Sequence, residues 1–344
     1  MKSREYRFSL IRLTALLLVI FCHMFEQIGS NLGYNRLVVL GNYSSVGVQV
    51  FLILSGYLYG RRKNMFEKIG RTEFCVKNVK KILLDYYVYL IIFALPVIYI
   101  LQPENITRDS IWRVATFSGI IWGIDHLWYI PYIIACYVFT PIIYDVKEWC
   151  ENKKYVMTLV LLLILLCIVN RAFGVYFSPA WIGAYIIGFF LPNIVEKLEK
   201  KKLLLINIIF MTISMGLNIV KYYVRYIIQP SLPQDDIKNL FCSQYIEWSR
   251  VFFALTIFLL IFEIGGHIQD KFKNILDWVD RYAYDIYIVH MIYVKGCLSL
   301  LTITKNIFIN IFIMVMAILG SAILLNWCCE MIKKCYSFKK EVKK

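Results

Sequence analysis

Ten apolar stretches organise the chain, at roughly residues 8–27, 44–60, 83–101, 126–144, 155–170, 179–195, 203–220, 250–266, 282–302 and 307–327. Most approach the roughly 20 residues that a helix needs to cross a bilayer. In lipid, a backbone without water must satisfy its own polar groups, and a helix does so within one segment. Sixty per cent of the 344 residues are hydrophobic, against about 45–50% in a soluble domain. The sequence therefore predicts an all-α, polytopic integral membrane protein with ten spans. It forms a single domain over residues 1–344, in which 328–344 make a basic tail.

The net charge of +15 could suggest a nucleic-acid partner, but the distribution of the basic residues excludes one. With the N-terminus placed inside, the inner connections hold 27 Lys and Arg residues and the outer connections nine. Such an asymmetry orients a membrane protein, so both termini are expected in the cytoplasm. The first span follows basic residues, yet no small-residue cleavage site follows it, and it reads as a retained span. Ten cysteines are scattered, without paired spacing or a Cys/His metal pattern. They read as small buried hydrophobes, and no metal is expected.

The first span, FSLIRLTALLLVIFCHMFE, carries Arg12 near its start and His23 and Glu26 near its end. At about 100° per residue, Arg12 and His23 fall on one helix face. They lie about 16 Å apart along the axis. Glu26 follows on roughly the same stripe. Ionisable groups at membrane depth are costly and point by default to function. An imidazole there can act as a general base.

The second span, GVQVFLILSGYL, holds Gly47, Gln49, Ser55 and Gly56 in an apolar run. Its glycines suit close helix packing, and Gln49 needs a polar partner. Ser55 lacks the frame of a nucleophilic serine. His126 opens the fourth span in DHLWYIP beside Trp128, and His290 lies mid-span in YDIYIVH. On the inner side, Lys77, Lys80 and Lys81 of KNVKK line one helical flank. That is enough to attract anionic lipid or a phosphate-rich ligand. The segment SIWRVATFSGIIWG within 102–125 is too short for an easy crossing and is expected to be an interfacial or re-entrant helix. Residues 221–249, with Pro230, Pro233, Asp235 and Asp236, read as an outer loop.

Taken in order, these motifs resemble the membrane acyltransferase-3 family. Arg12 and His23 match its opening Arg–His spacing, and Gly47 to Leu58 match its Gly-Val…Ser-Gly-Tyr-Leu signature. Lys77–Lys81, Leu127–Tyr129 and Tyr287–His290 match later features. Gln49 stands where many relatives have Asp, and KNVKK is poorer in arginine than theirs.

The resemblance implies a multi-pass protein of a bacterial plasma membrane. Its reaction would be O-acyl transfer from cytosolic acyl-coenzyme A, acetyl-CoA first among donors, to a hydroxyl of an extracytoplasmic or lipid-linked glycan. It implies His23 and Glu26 as catalytic, and Arg12, Lys77, Lys80, Lys81 and Ser55 as coenzyme-binding. Gln49, His126, Trp128 and His290 would bind the acceptor. The alternative is a carrier, flippase or substrate-supply protein with Arg12, His23 and Glu26 along a path. Against it stands the lack of the internal repeats and broken helices that such carriers show.

Overall fold

The computed structural model describes residues 6–150, 154–173, 178–233, 236–267 and 272–341. The helices are α1 Tyr6–Leu32, α2 Asn35–Ser44, α3 Gly47–Gly60, α4 Met65–Lys68, α5 Arg71–Val88, α6 Leu95–Leu101 and α7 Arg108–Ala115. They continue as α8 Tyr129–Trp149, α9 Tyr155–Phe173, α10 Pro179–Val195, α11 Lys200–Tyr223, α12 Ile237–Ile264, α13 Lys273–Val294 and α14 Ile307–Glu341. No strand occurs among the described residues. The protein is polytopic and all-α.

Nine of the ten apolar stretches fall on helices over most of their length, and the ninth, 282–302, is helical only as far as Val294 and continues as turns. Seven helical segments are long and apolar enough to cross a membrane: Tyr6–Leu32, Asn35–Gly60, Arg71–Leu101, Asp125–Trp149, Lys201–Ser231, Ile237–Ile264 and Ile307–Cys335. Tyr155–Val169 and Pro179–Val195 are shorter apolar helices. The helical part of the ninth stretch belongs to α13, which carries Asp277, Asp280, Arg281 and Asp285 and is less apolar than the seven.

Two segments, 221–249 and the basic tail, are more helical than the sequence predicts. The segment 221–249 is not an open loop. α11 passes into a π-helical turn at Val224–Ile228, and α12 already begins at Ile237. The Asp236 side chain caps α12 by accepting from the Lys238 N–H at 2.8 Å; Asp235 lies outside the described residues. The charges at Lys238, Glu247 and Arg250 break the apolar pattern, but they do not break a helix whose Ile246 and Ser249 are buried. In the same way α14 runs through the basic tail to Glu341, and residues 342–344 lie outside the described part. Within 102–125 the expected short helix is α7, closed by a Thr107–Ser110 capping box.

The chain divides into two compact units. The first comprises 1–15, 45–70 and 135–276, and the second 16–44, 71–134 and 277–344.

In the first unit, α3 packs on α10 at almost no distance. A Cβ added at Gly56 would collide with the Tyr185 carbonyl, at Gly60 with that of Phe189, and at Gly188 with that of Ile53. Small residues let helices meet backbone to backbone in lipid, where no hydrophobic effect presses them together. At one end of this contact Arg61 pairs with Glu196 at 2.6 Å, and the Tyr57 hydroxyl donates to the same carboxylate at 3.0 Å. The Tyr57 ring lies 5.6 Å from that of Phe8 and 5.4 Å from those of Phe258 and Phe262. These contacts tie α1, α3 and α12 into one aromatic cluster, to which Glu196 at the end of α10 is joined through Tyr57.

The second unit buries Tyr86, Tyr89, Ile98, Ile288, Val289 and Met291. Tyr86 and Tyr87 donate to the carbonyls of Val114 and Ala115 at 2.6 and 2.9 Å, which seats α7 against α5. A buried polar group joins α13 to α14, with Asn326 donating to Asp285 at 3.1 Å.

Candidate active site

Three of the four histidines meet in the second unit, brought there by three separate elements. His23 comes from α1, His290 from α13 and His126 from the 3₁₀ turn Asp125–Trp128 that precedes α8. The His23 and His290 ring centroids are 5.5 Å apart with their planes at 28°, and His290 and His126 are 4.8 Å apart at 71°. His290 is fully buried and His126 nearly so, while the His23 side chain keeps 20% of its surface exposed. The row thus runs from a part-open imidazole to two closed ones.

Local backbone fixes the inner two rings. The His126 Nε2 lies 2.9 Å from the Ile288 carbonyl oxygen, and the His290 Nδ1 2.6 Å from that of Tyr287. A carbonyl oxygen only accepts, so each of these nitrogens carries a proton and donates. The opposite nitrogens, Nδ1 of His126 and Nε2 of His290, are buried and make no hydrogen bond. Buried polar atoms normally find a partner, so these two acceptor nitrogens, on rings 4.8 Å apart, suit a guest that brings hydroxyl donors.

The 3₁₀ turn owes its place to glycine. Gly123 has φ +86°, a left-handed conformation that favours glycine. A Cβ on it would come within 2.8 Å of the Gly296 Cα, just beyond α13. Close backbone contact at that point lets His126 reach Ile288. The Tyr287 hydroxyl completes the lock by donating to the His126 carbonyl at 2.7 Å.

His23 has a different neighbour. Its Nδ1 is 3.7 Å from the Glu26 carboxylate one turn further along α1. Gly41 of α2 packs here, since a Cβ would stand 2.8 Å from the Cys22 carbonyl oxygen and 2.9 Å from the Glu26 Cγ. Cys22, His23 and Glu26 bring one donor atom each within 4.8 Å of one another, close enough for a cation. Neighbours on one helical turn approach in this way without an ion as well.

The other sequence-predicted residues are distributed as follows. Trp128 packs edge-on against Tyr129 and Tyr132 beside His126. Lys77, Lys80 and Lys81 are exposed on α5 in the second unit, and Lys81 also interacts electrostatically with Asp85 and Asp285. Arg12, Gln49 and Ser55 belong to the first unit. Arg12 is half-buried on the α1 helix that carries His23, Gln49 is fully buried, and Ser55 hydrogen-bonds with Tyr137.

Two neighbours carry more than their motifs foretold. Tyr287 and Asp125 enter the sequence reading only as members of the motifs YDIYIVH and DHLWYIP. Asp125 directly precedes His126 and has a buried carboxylate oxygen without a hydrogen bond. Its adjacency to a histidine at a span end was the available signal.

A family model described as an acyltransferase domain matches residues 5–326. Neither curated proteins nor solved structures gave a match.

Proposed function

We propose that this chain, which belongs to the acyltransferase-3 family of membrane acyltransferases, moves an acyl group from cytosolic acyl-coenzyme A to a hydroxyl of an extracytoplasmic or lipid-linked glycan. Acetyl-CoA is the first candidate for donor, and a bacterial plasma membrane for location. The observation that carries the reading is the imidazole row, with its buried acceptor nitrogens on His126 and His290.

His23, the most accessible of the three, takes the proton of the acceptor hydroxyl as the oxygen attacks the thioester carbonyl. The tetrahedral intermediate collapses with cleavage of the C–S bond, and the imidazolium returns the proton to the departing thiolate. Glu26, 3.7 Å from the His23 Nδ1, stabilises the imidazolium between those steps. The free nitrogens of His126 and His290 accept hydrogen bonds from acceptor hydroxyls, and Trp128 offers a sugar an aromatic face. Arg12 takes a coenzyme phosphate through its planar fork. Lys77, Lys80 and Lys81 raise the local concentration of the polyanionic donor. A role for Ser55 and Gln49 at the coenzyme or acceptor rests on the family resemblance alone.

The test is release of coenzyme A from acetyl-CoA by the purified protein, with water or added saccharide as acceptor, in wild type and His23→Ala. Loss of on the order of 10²–10⁴ in rate is expected when a positioned base is removed, with acetyl-CoA binding retained. Normal turnover by folded His23→Ala would overturn the assignment. Absence of acetyl-CoA binding by the wild type would favour a carrier.

A further inference from the structure

The C-terminal part of α1 gathers donor atoms of three kinds on little more than one helical turn. Cys22 offers a thiol, His23 a ring nitrogen and Glu26 a carboxylate. The Cys22 thiol donates to the Glu26 Oε1 at 3.8 Å, and the His23 Nδ1 stands 3.7 Å from the Glu26 Oε2. The third pair, Cys22 with His23, is within 4.8 Å. The sequence predicted no metal because this set follows one helix turn instead of a paired Cys/His spacing.

Sulfur, imidazole nitrogen and carboxylate oxygen are the donors of zinc sites, with metal bonds of about 2.3, 2.0–2.1 and 2.0–2.2 Å. Around a tetrahedral ion such bonds place the donors about 3.4–3.6 Å apart. The separations of 3.7 and 3.8 Å come close to that spacing. Three protein donors leave the fourth position to water or another small ligand, as in open zinc sites.

Two further features set this turn apart from ordinary helical neighbours. The His23 Nδ1 is shielded from solvent and makes no hydrogen bond, although a buried ring nitrogen normally finds a partner. The turn is also held in place by packing. Gly41 of α2 lies so near that a Cβ on it would stand 2.8 Å from the Cys22 carbonyl oxygen and 2.9 Å from the Glu26 Cγ. The His23 ring stacks on that of His290. Donors fixed by packing lose less freedom when they close on a metal. A divalent ion on one thiolate, one carboxylate and a neutral imidazole makes a complex without net charge, which suits a low-dielectric setting. The thiol proton passes to solvent as the metal enters.

We infer that Cys22, His23 and Glu26 bind a transition-metal ion of the zinc class, and that the bound ion suppresses acyl transfer. Thiolate and imidazole select zinc over magnesium and calcium, which prefer oxygen donors. By the charge asymmetry of the sequence this end of α1 faces outward, and Glu26, 28% exposed, gives the ion a way in. The suppression rests on the reading of His23 as the base. The ion takes Nδ1 and Glu26 together, and so withdraws the carboxylate from the imidazolium that it stabilises in that reaction.

Purified full-length protein in a neutral detergent, stripped of metal by a chelator, would be titrated with Zn²⁺ against a colour-forming chelator, with Mg²⁺ as control. Zinc should bind and magnesium should not. Cys22→Ser nearly keeps the shape of the side chain and removes the soft donor. Its zinc affinity should fall by more than the roughly 10–100-fold that loss of a supporting residue costs. Wild-type zinc affinity in folded Cys22→Ser would overturn the site. X-ray absorption of zinc-loaded wild type needs no variant. It should show sulfur at about 2.3 Å beside nitrogen and oxygen at about 2.0–2.2 Å, and a shell without sulfur would refute the ligand set.

Release of coenzyme A from acetyl-CoA is measured in parallel. Saturating zinc should stop it in wild type and spare Cys22→Ser, a residue outside the proposed reaction. Zinc bound through sulfur with turnover unchanged or raised would refute the suppression. A wild type that binds zinc in this way but never turns over acetyl-CoA defeats the functional reading and the suppression, and leaves the metal site standing. Turnover without zinc binding does the reverse.

Discussion

The rings of His23 and His290 lie 5.5 Å apart with their planes inclined by 28°, although 267 residues separate them in the chain. His290 in turn meets His126 at 4.8 Å. Replacing His290 or His126 with Phe keeps an aromatic ring in each place and removes the ring nitrogens. On the proposed mechanism, folded His290→Phe loses turnover about ten- to a hundredfold, the size of one or two lost hydrogen bonds, with acetyl-CoA affinity unchanged. Steady-state kinetics beside direct coenzyme binding checks this. Wild-type turnover in both Phe variants would leave the two rings with packing alone.

Arg12→Lys keeps the charge and loses the bidentate fork. A coenzyme phosphate held by Arg12 therefore predicts weaker binding in Arg12→Lys and still weaker binding in Arg12→Ala. Calorimetric titration with coenzyme A measures both. Wild-type affinity in the two variants would remove Arg12 from the donor site.

Lys77, Lys80 and Lys81 are exposed on α5. Their joint replacement by Gln is expected to raise the apparent KM for acyl-CoA and to flatten its dependence on ionic strength, as electrostatic steering requires. If the three serve only to orient the chain, less protein inserts but the inserted fraction keeps its kinetics. Quantifying inserted protein alongside KM separates these outcomes.

The α3–α10 contact makes a prediction about stability. Gly56→Ala and Gly188→Ala each force a methyl group onto a carbonyl of the opposite helix, an overpacking that costs about 1–3 kcal/mol. Gly216→Ala meets nothing within 4 Å and removes only the helix penalty of glycine, a gain of about 0.5–1 kcal/mol. Thermal unfolding in detergent should move in opposite directions for the two kinds of variant. A common direction would mean that the contact is looser than described.

The span pattern was legible because it is local: an apolar run of membrane length forms a helix wherever its neighbours lie. Arg12, His23 and Glu26 stood out for the same reason, since their cost in lipid can be read from one segment. Helix ends were harder to read. Lys238, Glu247 and Arg250 interrupt hydropathy without interrupting the helix, so the expected outer loop proved mostly helical. Tertiary structure alone decided what the histidines do to each other. His126 reaches the Ile288 carbonyl across 162 residues, through a turn set by the contact of Gly123 with Gly296. It also decided that Glu247 of α12 meets both Arg250 and the Trp181 indole of α10. Charge along a chain counts residues, but whether a charge is balanced depends on distances that only packing sets.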